Sequence, residues 1–452
     1  MHTLDQLRAG ELAGTRYLNL AAGLTEFPRE IFNLADSLEI LNLSGNALSV
    51  LPADLGRLSK LRILFCSDNK FTAVPGVLGQ CPQLSMVGFK ANQIRTLPAA
   101  ALPPALRWLI LTDNQLESVP AELGNCAHLQ KLMLAGNRLR DLPATLANCT
   151  RLELLRLAAN QLTALPEWLL ALPRLSWLAY AGNPFCAPSE AAALARHPID
   201  TIAWPRLAVE QQLGEGASGV IYQARWQPGE GTPARAVAVK LFKGALTSDG
   251  LPHSEMAACI SAGPHPNLVG VEGQVGGHPQ GAEGLVLTLI DPGFGNLAGP
   301  PSFASCTRDV YAPGTAFPLA AALRIARGIA AAAAHLHARG ILHGDLYAHN
   351  IMTTPAGDCL LGDFGAASFF DPEDHKTAPA LQRLEARAFG CLLEELLAHC
   401  PDLATSPAAS HSLQTLQERC TQPTVAARPL FAEILQTLTT VQQDLPRAAQ
   451  LQ

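Results

Sequence analysis

The stretch LRLAANQLTALP, Leu155 to Pro166, decides how the first half of this chain folds, because it recurs. LNLSGNALSVLP (Leu41 to Pro52) fills the same frame, L-x-L-x-x-N-x-L-x-x-L-P. Its asparagine returns as Asn46, Asn69, Asn92, Asn114, Asn137, Asn160 and Asn183, in steps of 23, 23, 22, 23, 23 and 23 residues. Gly23 carries the series one step toward the N-terminus, giving about eight turns. A fixed period of this length predicts a solenoid. The two leucines of L-x-L alternate on a short strand and point into one shared core. The asparagine is polar yet interior, and its amide can satisfy backbone groups of the neighbouring coil.

The frame resembles the intracellular, 23-residue form of the leucine-rich repeat, over about residues 15–186. Cys81, Cys126 and Cys149 share one repeat position. They read as a ladder of small buried thiols on the convex side rather than a metal or redox cluster. The position before each L-x-L strand is expected on the concave surface. It holds Tyr17, Ile40, Ile63, Met86, Trp108, Lys131, Leu154 and Trp177, and the strand middles add Phe65, Ile110 and Met133. An apolar, aromatic stripe there predicts a docking face for a protein partner, either substrate or regulator.

Length and composition frame the rest. With 452 residues, 48% apolar and 15% charged, the chain can bury large cores and is not of the disordered class. A net charge of −6 argues against a general nucleic-acid or anionic-membrane binder. The beginning, MHTLDQLRAG, has no basic start followed by an apolar run, so no secretory signal is expected. No run of about 18 uncharged apolar residues predicts a membrane span. The nearest candidate, Ile329 to Leu336, is flanked by Arg327 and Arg339 and reads as a buried helix. Eleven cysteines without a C-x-x-C pair suit reduced thiols and a cytoplasmic location. The 32 basic residues are 25 Arg and 7 Lys, so each lysine marks a place where arginine did not serve.

The repeats end at AGNPFCAPSE, and Pro188, Pro198 and Pro205 follow without repeat character. The expected division is a solenoid over 1–186, a capping segment and linker over 187–205, a second domain over 206–441 and a tail over 442–452. Charge shifts at the same place, from 17 basic and 16 acidic residues in 1–205 to 15 and 22 in 206–452.

The second half carries an ordered series of motifs. LGEGASGVIYQARW places Gly214, Gly216 and Gly219 in G-x-G-x-x-G spacing, with a strand-like VIYQARW after them rather than a helix. Glycines there let backbone N–H groups approach phosphates. AVAVK follows and ends in Lys240, and HSEMAAC offers Glu255 on an expected helix. Next come HPNLV (His265 to Val269), then ILHGDLYAHNIM with His343, Asp345 and Asn350 in H-x-D-x-x-x-x-N. Asp363-Phe364-Gly365 lies thirteen residues beyond Asn350, and Arg428 stands in an R-P-x-F context.

This series, over about 235 residues, resembles the protein kinase catalytic domain. The resemblance implies a bilobal fold that binds ATP and Mg²⁺. It makes Lys240 the holder of the α/β-phosphates and Glu255 its ion-pair partner. Asn350 and Asp363 become the Mg²⁺ ligands, and Asp345 the group that orients or accepts the proton of the attacking hydroxyl. Leu213, Gly214, Gly216, Gly219, Ile221 and Ala238 line the nucleotide side by position. Lys243 and Lys376 have no motif partner and read as solvated.

The pattern is also broken. Gly344 stands where H-R-D has the arginine that commonly pairs with an activation-loop phosphate, which suggests activity not gated by such phosphorylation. Tyr347 stands where serine/threonine kinases carry Lys, and His349 where tyrosine kinases often carry Arg. His349 supplies the missing cation only if protonated. Only 19 residues separate Gly365 from Glu385, which stands for the aspartate that usually introduces the large central helix. Ala378-Pro379 is followed by Ala380, so the acid that pairs with Arg428 is missing or moved; Glu394 and Glu395 read by default as charges of an amphipathic helix, with a surrogate role for one of them as the alternative. The Pro/Gly-rich stretch between Gly284 and Pro318 reads as a loop near the nucleotide cleft.

The resulting expectation is an α/β chain: a leucine-rich repeat solenoid of about eight turns, then a bilobal protein-kinase-like α+β domain. It is read as an ATP-dependent protein kinase, Ser/Thr rather than Tyr, whose repeats recruit substrate or regulator. A small-molecule kinase on the same fold and a pseudokinase scaffold are the competing readings.

Overall fold

The computed structural model describes residues 2–445, apart from Ala217, Glu230, Ala245 and Ser248. The chain forms two compact units. The first runs to Leu175 and includes Asn183–Phe185; the second comprises Ser176–Gly182 and everything from Cys186 onward.

A short helix α1 (Leu4–Arg8) precedes the repeats, capped by Thr3, whose hydroxyl accepts the Gln6 N–H while the Gln6 side chain accepts the Thr3 N–H. Eight three-residue strands follow in chain order: β1 (Tyr17–Asn19), β2 (Ile40–Asn42), β3 (Ile63–Phe65), β4 (Met86–Gly88), β5 (Trp108–Ile110), β6 (Lys131–Met133), β7 (Leu154–Arg156) and β8 (Trp177–Ala179). β1 to β7 pair in parallel, each repeat position against its equivalent in the next turn. The closing proline of the motif starts a 3₁₀ turn on the opposite side, with φ between −63° and −70° at Pro75, Pro98, Pro120, Pro143 and Pro166.

The asparagines form the ladder expected of them. Asn160 Nδ2 donates to Leu134 O (2.9 Å) and Leu157 O (3.0 Å), and its Oδ1 accepts the Leu139 N–H (3.0 Å). Asn137 repeats the pattern with Leu111 O, Leu134 O and the Leu116 N–H. The residue before each ladder asparagine turns left-handed: Gly45, Asp68, Ala91, Asp113, Gly136, Ala159 and Gly182 all have φ between 52° and 73°. Cys81, Cys126 and Cys149 are buried free thiols, and burial pushes Cys81 up to about 11.

The concave stripe is less open than its residue types suggest. Tyr17 is 46% exposed, and Ile40 and Trp108 are partly exposed, but Ile63, Met86, Lys131, Leu154 and Trp177 are buried. In-register turns set bulky side chains one strand spacing apart, so they shield one another. Phe65 and Ile110 lie so close over Gly88 that a Cβ there would meet Phe65 Cδ1 at 2.6 Å. The Lys131 ammonium sits 4.5 Å from the Trp108 ring centroid. Trp177 is buried for a different reason, described with the site.

The second unit opens with α2 (Ala187–Arg196) and β9 (Thr201–Ala203), so residues 187–205 are folded and not a bare linker. Pro188 lies in the first turn of α2, where a missing N–H costs nothing. β9 is the parallel edge of a six-stranded sheet in the order β10-β11-β12-β14-β13-β9, with β10 (Leu207–Glu215), β11 (Gly219–Trp226), β12 (Arg235–Phe242), β13 (Val271–Gly276) and β14 (Gly284–Thr288). The helix α3 (Pro252–Ala262) buries Met256 and Ile260 against Leu285 of that sheet.

The other lobe is helical. α4 (Leu319–Ala338), α5 (Thr377–Ala398), α6 (Pro407–Cys420) and α7 (Phe431–Asp444) surround the short strands β16 (Ile341–Leu342) and β19 (Ser368–Phe369). β15 (Gly295–Asn296), β17 (Ile351–Thr353) and β18 (Cys359–Leu361) form a second small sheet. α4 is long and apolar enough to cross a membrane, but most of it is buried within this lobe. The tail after Leu445 lies outside the described residues, and Gln442–Asp444 belong to α7.

Candidate active site

β10 and β11 form the antiparallel hairpin that carries the glycine motif. A Cβ at Gly219 would meet Leu241 O at 2.5 Å, so packing on β12 requires glycine there. Gly214 and Gly216 face open space, which leaves their backbone accessible to a ligand. Leu213 is exposed near the end of β10, Ile221 pairs with Lys240, and Ala238 is buried two residues before Lys240 in β12. Lys243 is not simply solvated, because its ammonium pairs with Glu215 of the same hairpin.

Lys240 and Glu255 meet in an ion pair, Nζ to Oε1, with the carboxylate almost fully buried. Burial works against the Lys240 charge, yet Glu255 beside it, and then Asp363, raise its pKa. β12 and α3 bring the two residues together across fifteen positions of sequence. A buried charge pair of this kind fixes the lysine head rather than adding much stability.

The catalytic loop lies between β16 and β17. His343 is buried and ties the loop to the chain just before Asp363: Nε2 bonds Gly362 O (2.9 Å), while Nδ1 accepts the Asp345 N–H (3.3 Å) within the loop. Asn350 Nδ2 donates to Asp345 O (2.9 Å) and Asp345 Oδ2 (2.8 Å). Gly362 N–H reaches Asn350 O (3.0 Å), which sets Asp363 just beyond the loop. Asp363 is exposed and left-handed, φ 53°, a conformation non-glycine residues adopt at some cost and which recurs at functional sites. Its Oδ1 accepts the Gly365 N–H (3.1 Å). Asn267 of HPNLV ties this lobe to β18, donating to Cys359 O (3.0 Å) and accepting the Leu361 N–H (2.9 Å).

The donors at Asn350 and Asp363 are an amide and a carboxylate. Both offer hard oxygens that suit Mg²⁺, an ion that keeps water and takes its remaining ligands from substrate phosphates. Among the described residues no group of three His, Cys, Asp or Glu could hold a metal ion.

Several departures from the motif find partners. Glu385 accepts the Gly344 N–H (2.8 Å) and pairs with His337 Nε2 (2.6 Å). Burial opposes its ionisation, but His337, His343 and Gly344 N–H together lower its pKa. Arg428 is buried and donates to Gln422 O (2.8 Å) and Arg383 O (3.2 Å), with burial lowering it to about 10. Neither Glu394 nor Glu395 is its surrogate. Both bind Arg308: Nε to Glu395 Oε1 at 2.7 Å and Nη1 to Glu394 Oε2 at 2.8 Å. Ala378-Pro379-Ala380 falls inside α5, so the segment between Gly365 and that helix is only residues 366–376.

Arg308 belongs to the stretch expected as a loose loop by the cleft. Gly284–Thr288 is instead the strand β14, and the remainder docks on the helical lobe. Its Asp309 carboxylate accepts the His349 N–H (3.0 Å) and bonds His349 Nδ1 (2.7 Å). Burial works against the imidazolium, but Asp309, then Asp345 and Asp363, raise the His349 pKa. Tyr347 is buried, its ring stacked on Trp177 at 4.2 Å between centroids and 7° between planes. Trp177 therefore does not belong to an open docking face. No spacing rule pointed to Arg308, Asp309 or Trp177 as partners of this site.

Residues 207–388 match the family of protein tyrosine and serine/threonine kinases, and residues 37–58 and 127–185 match leucine-rich repeat families. The chain joins leucine-rich repeats to a protein kinase domain. Cyclin-dependent kinase F-2 of Oryza sativa subsp. japonica is 29% identical over 216 residues, 42% of this chain and 61% of that protein. Serine/threonine-protein kinase mos of Gallus gallus is 29% identical over 178 residues, 37% of this chain and 49% of that protein. Cyclin-dependent kinase 11B of Homo sapiens is 27% identical over 184 residues, 40% of this chain and 21% of that protein. The chain thus spans less than two thirds of the length of these relatives.

Proposed function

We propose that the protein is an ATP-dependent protein kinase that transfers the γ-phosphoryl group to a protein hydroxyl, serine or threonine in preference to tyrosine. The observation that carries this reading is the joint assembly of Lys240 with Glu255 and of Asp345 with Asn350. A decayed site has no reason to keep both. Phosphoryl transfer is mostly positioning and charge neutralisation. Lys240, held by Glu255, binds the α/β-phosphates, while the open backbone at Gly214 and Gly216 covers them. Asp345 orients the attacking hydroxyl and accepts its proton, and Asn350 holds the Asp345 carboxylate in place. Asn350 and Asp363 would hold Mg²⁺, which supplies charge neutralisation on the phosphates when bound.

The Ser/Thr preference rests on the names of the relatives. The repeats are the expected recruiting surface for a protein substrate or regulator, with Tyr17, Ile40 and Trp108 its accessible apolar positions. Eleven cysteines without a C-x-x-C pair, ten of them buried, support a reducing, cytoplasmic setting. Phosphoamino-acid analysis after incubation with labelled ATP and Mg²⁺ tests the assignment. Label on serine or threonine is expected, and label on tyrosine alone overturns the Ser/Thr preference. Label on small alcohols but on no protein overturns the protein-kinase reading.

A further inference from the structure

The repeat period places Trp177 in the eighth repeat, yet Ser176–Gly182 is part of the second unit. Four features bind this segment there. The Trp177 indole N–H donates to Leu346 O (3.0 Å), one residue after Asp345, and its ring stacks on Tyr347. Tyr180 N–H donates to Ser368 Oγ (2.9 Å) in β19, just after Asp363-Phe364-Gly365. Arg387 of α5 donates to Ser176 Oγ (2.7 Å). At Gly344, φ is 73° and a Cβ would stand 2.6 Å from both Leu178 O and Ala366 O. No side chain, least of all an arginine, fits there. The segment therefore touches the catalytic loop, the start of the activation segment and the helix beneath them, and it occupies the space that excludes the H-R-D arginine.

We propose that Trp177 is a positioning residue for phosphoryl transfer. With Ser176–Gly182, it holds the loop around Asp345 and the segment after Gly365, a task the arginine–phosphate pair performs where H-R-D is intact. Tyr347 is the aromatic counterpart of Trp177 and stands where a lysine would not stack. The chain then needs no phosphate on its short segment 366–376 to order the site. The role of Trp177 in transfer rests on the kinase reading above; its hold on the loop does not.

The test uses the full chain and three variants, Trp177→Ala, Trp177→Phe and Tyr347→Ala, with the double variant Trp177→Ala/Tyr347→Ala. Three quantities are read: amide hydrogen exchange over Leu346–Asn350, ATP binding, and kcat with KM. Trp177→Ala is expected to raise exchange in that loop about tenfold and to lower kcat about 10- to 100-fold, as misplacement of about 1 Å does, while KM for ATP stays within about twofold. Trp177→Phe keeps the stack and should recover most of both. The losses from Trp177→Ala and Tyr347→Ala should not add in the double variant, as for residues in contact. Treatment of wild type with a phosphatase should leave kcat unchanged. Loop exchange and kcat within twofold of wild type in a folded Trp177→Ala protein would overturn the proposal. So would additive losses. If Trp177→Ala fails to fold, Trp177→Phe and Tyr347→Ala carry the same readouts. If wild type binds ATP but transfers nothing, the kinase reading fails, and loop exchange alone decides whether Trp177 holds the loop.

Discussion

At the scale of single residues, the site separates what spacing reveals from what packing decides. The meeting of Lys240 with Glu255, of Asp345 with Asn350, and of Asp363 near Lys240 was legible from the order of motifs that resembles the protein kinases. Gly344 was readable only as a loss. Its causes are a left-handed φ and backbone approaches from Ala366 and from Leu178, the latter 166 positions away in sequence, which no local pattern records. Restoring the family arginine, Gly344→Arg, should therefore inactivate rather than activate. Loss of transfer activity and a lowered melting temperature are the expected outcome, and increased activity would contradict it. Glu385 adds a pH dependence. Its folded pKa lies below the ordinary 4.5, so its stabilisation is complete above that value and is lost as pH falls through the lower folded value. Glu385→Gln should cost about 2 kcal/mol near neutral pH by weakening the His337 and Gly344 bonds. The melting-temperature gap between wild type and variant should narrow below the ordinary carboxylate range. A gap constant from pH 7 down to acid unfolding would rule this out.

At the scale of elements, the repeat strands followed from periodicity, because period and side-chain direction are one geometric fact, and the glycine hairpin followed from the spacing of its glycines before a strand-like run. The region 284–318 did not follow. Its Pro/Gly content suggested a loop, whereas Arg308 and Asp309 dock it onto α5 and the catalytic loop through contacts 86 and 40 positions distant in sequence. Prolines 188, 198 and 205 likewise suggested a linker, but proline is tolerated in the first turn of a helix and between elements. Arg308→Ala removes three bonds at once, to Glu395, Glu394 and Cys391 O, and leaves the partly buried Glu395 carboxylate without its cation. A loss of about 2 kcal/mol follows. That lowers the melting temperature of a unit of this size by about 4–8 °C. An unchanged melting temperature would show that the region is not anchored there.

At the scale of the whole molecule, the repeats, the motifs and the charge shift suggested two domains with a change of character near residue 200. The compact units divide the chain differently, because a strand belongs where its side chains are buried and not where its repeat period ends. Trp177 was read as part of an exposed partner face for that reason. Its consequence for function is that the catalytic unit includes residues 176–182. The scarcity of lysine keeps its meaning: Lys240, one of seven lysines, has a buried carboxylate partner at the position where the kinase motif calls for lysine. The central claim is that this site transfers phosphate. The most direct measurement is incorporation of label from γ-labelled ATP with Mg²⁺ by the full chain, alongside Asp345→Asn and Lys240→Met, with ATP binding followed by thermal shift. Wild type should incorporate label, and both variants should lose it by about 10²-fold or more. ATP binding by wild type without incorporation, or incorporation unchanged in Asp345→Asn, would contradict the account.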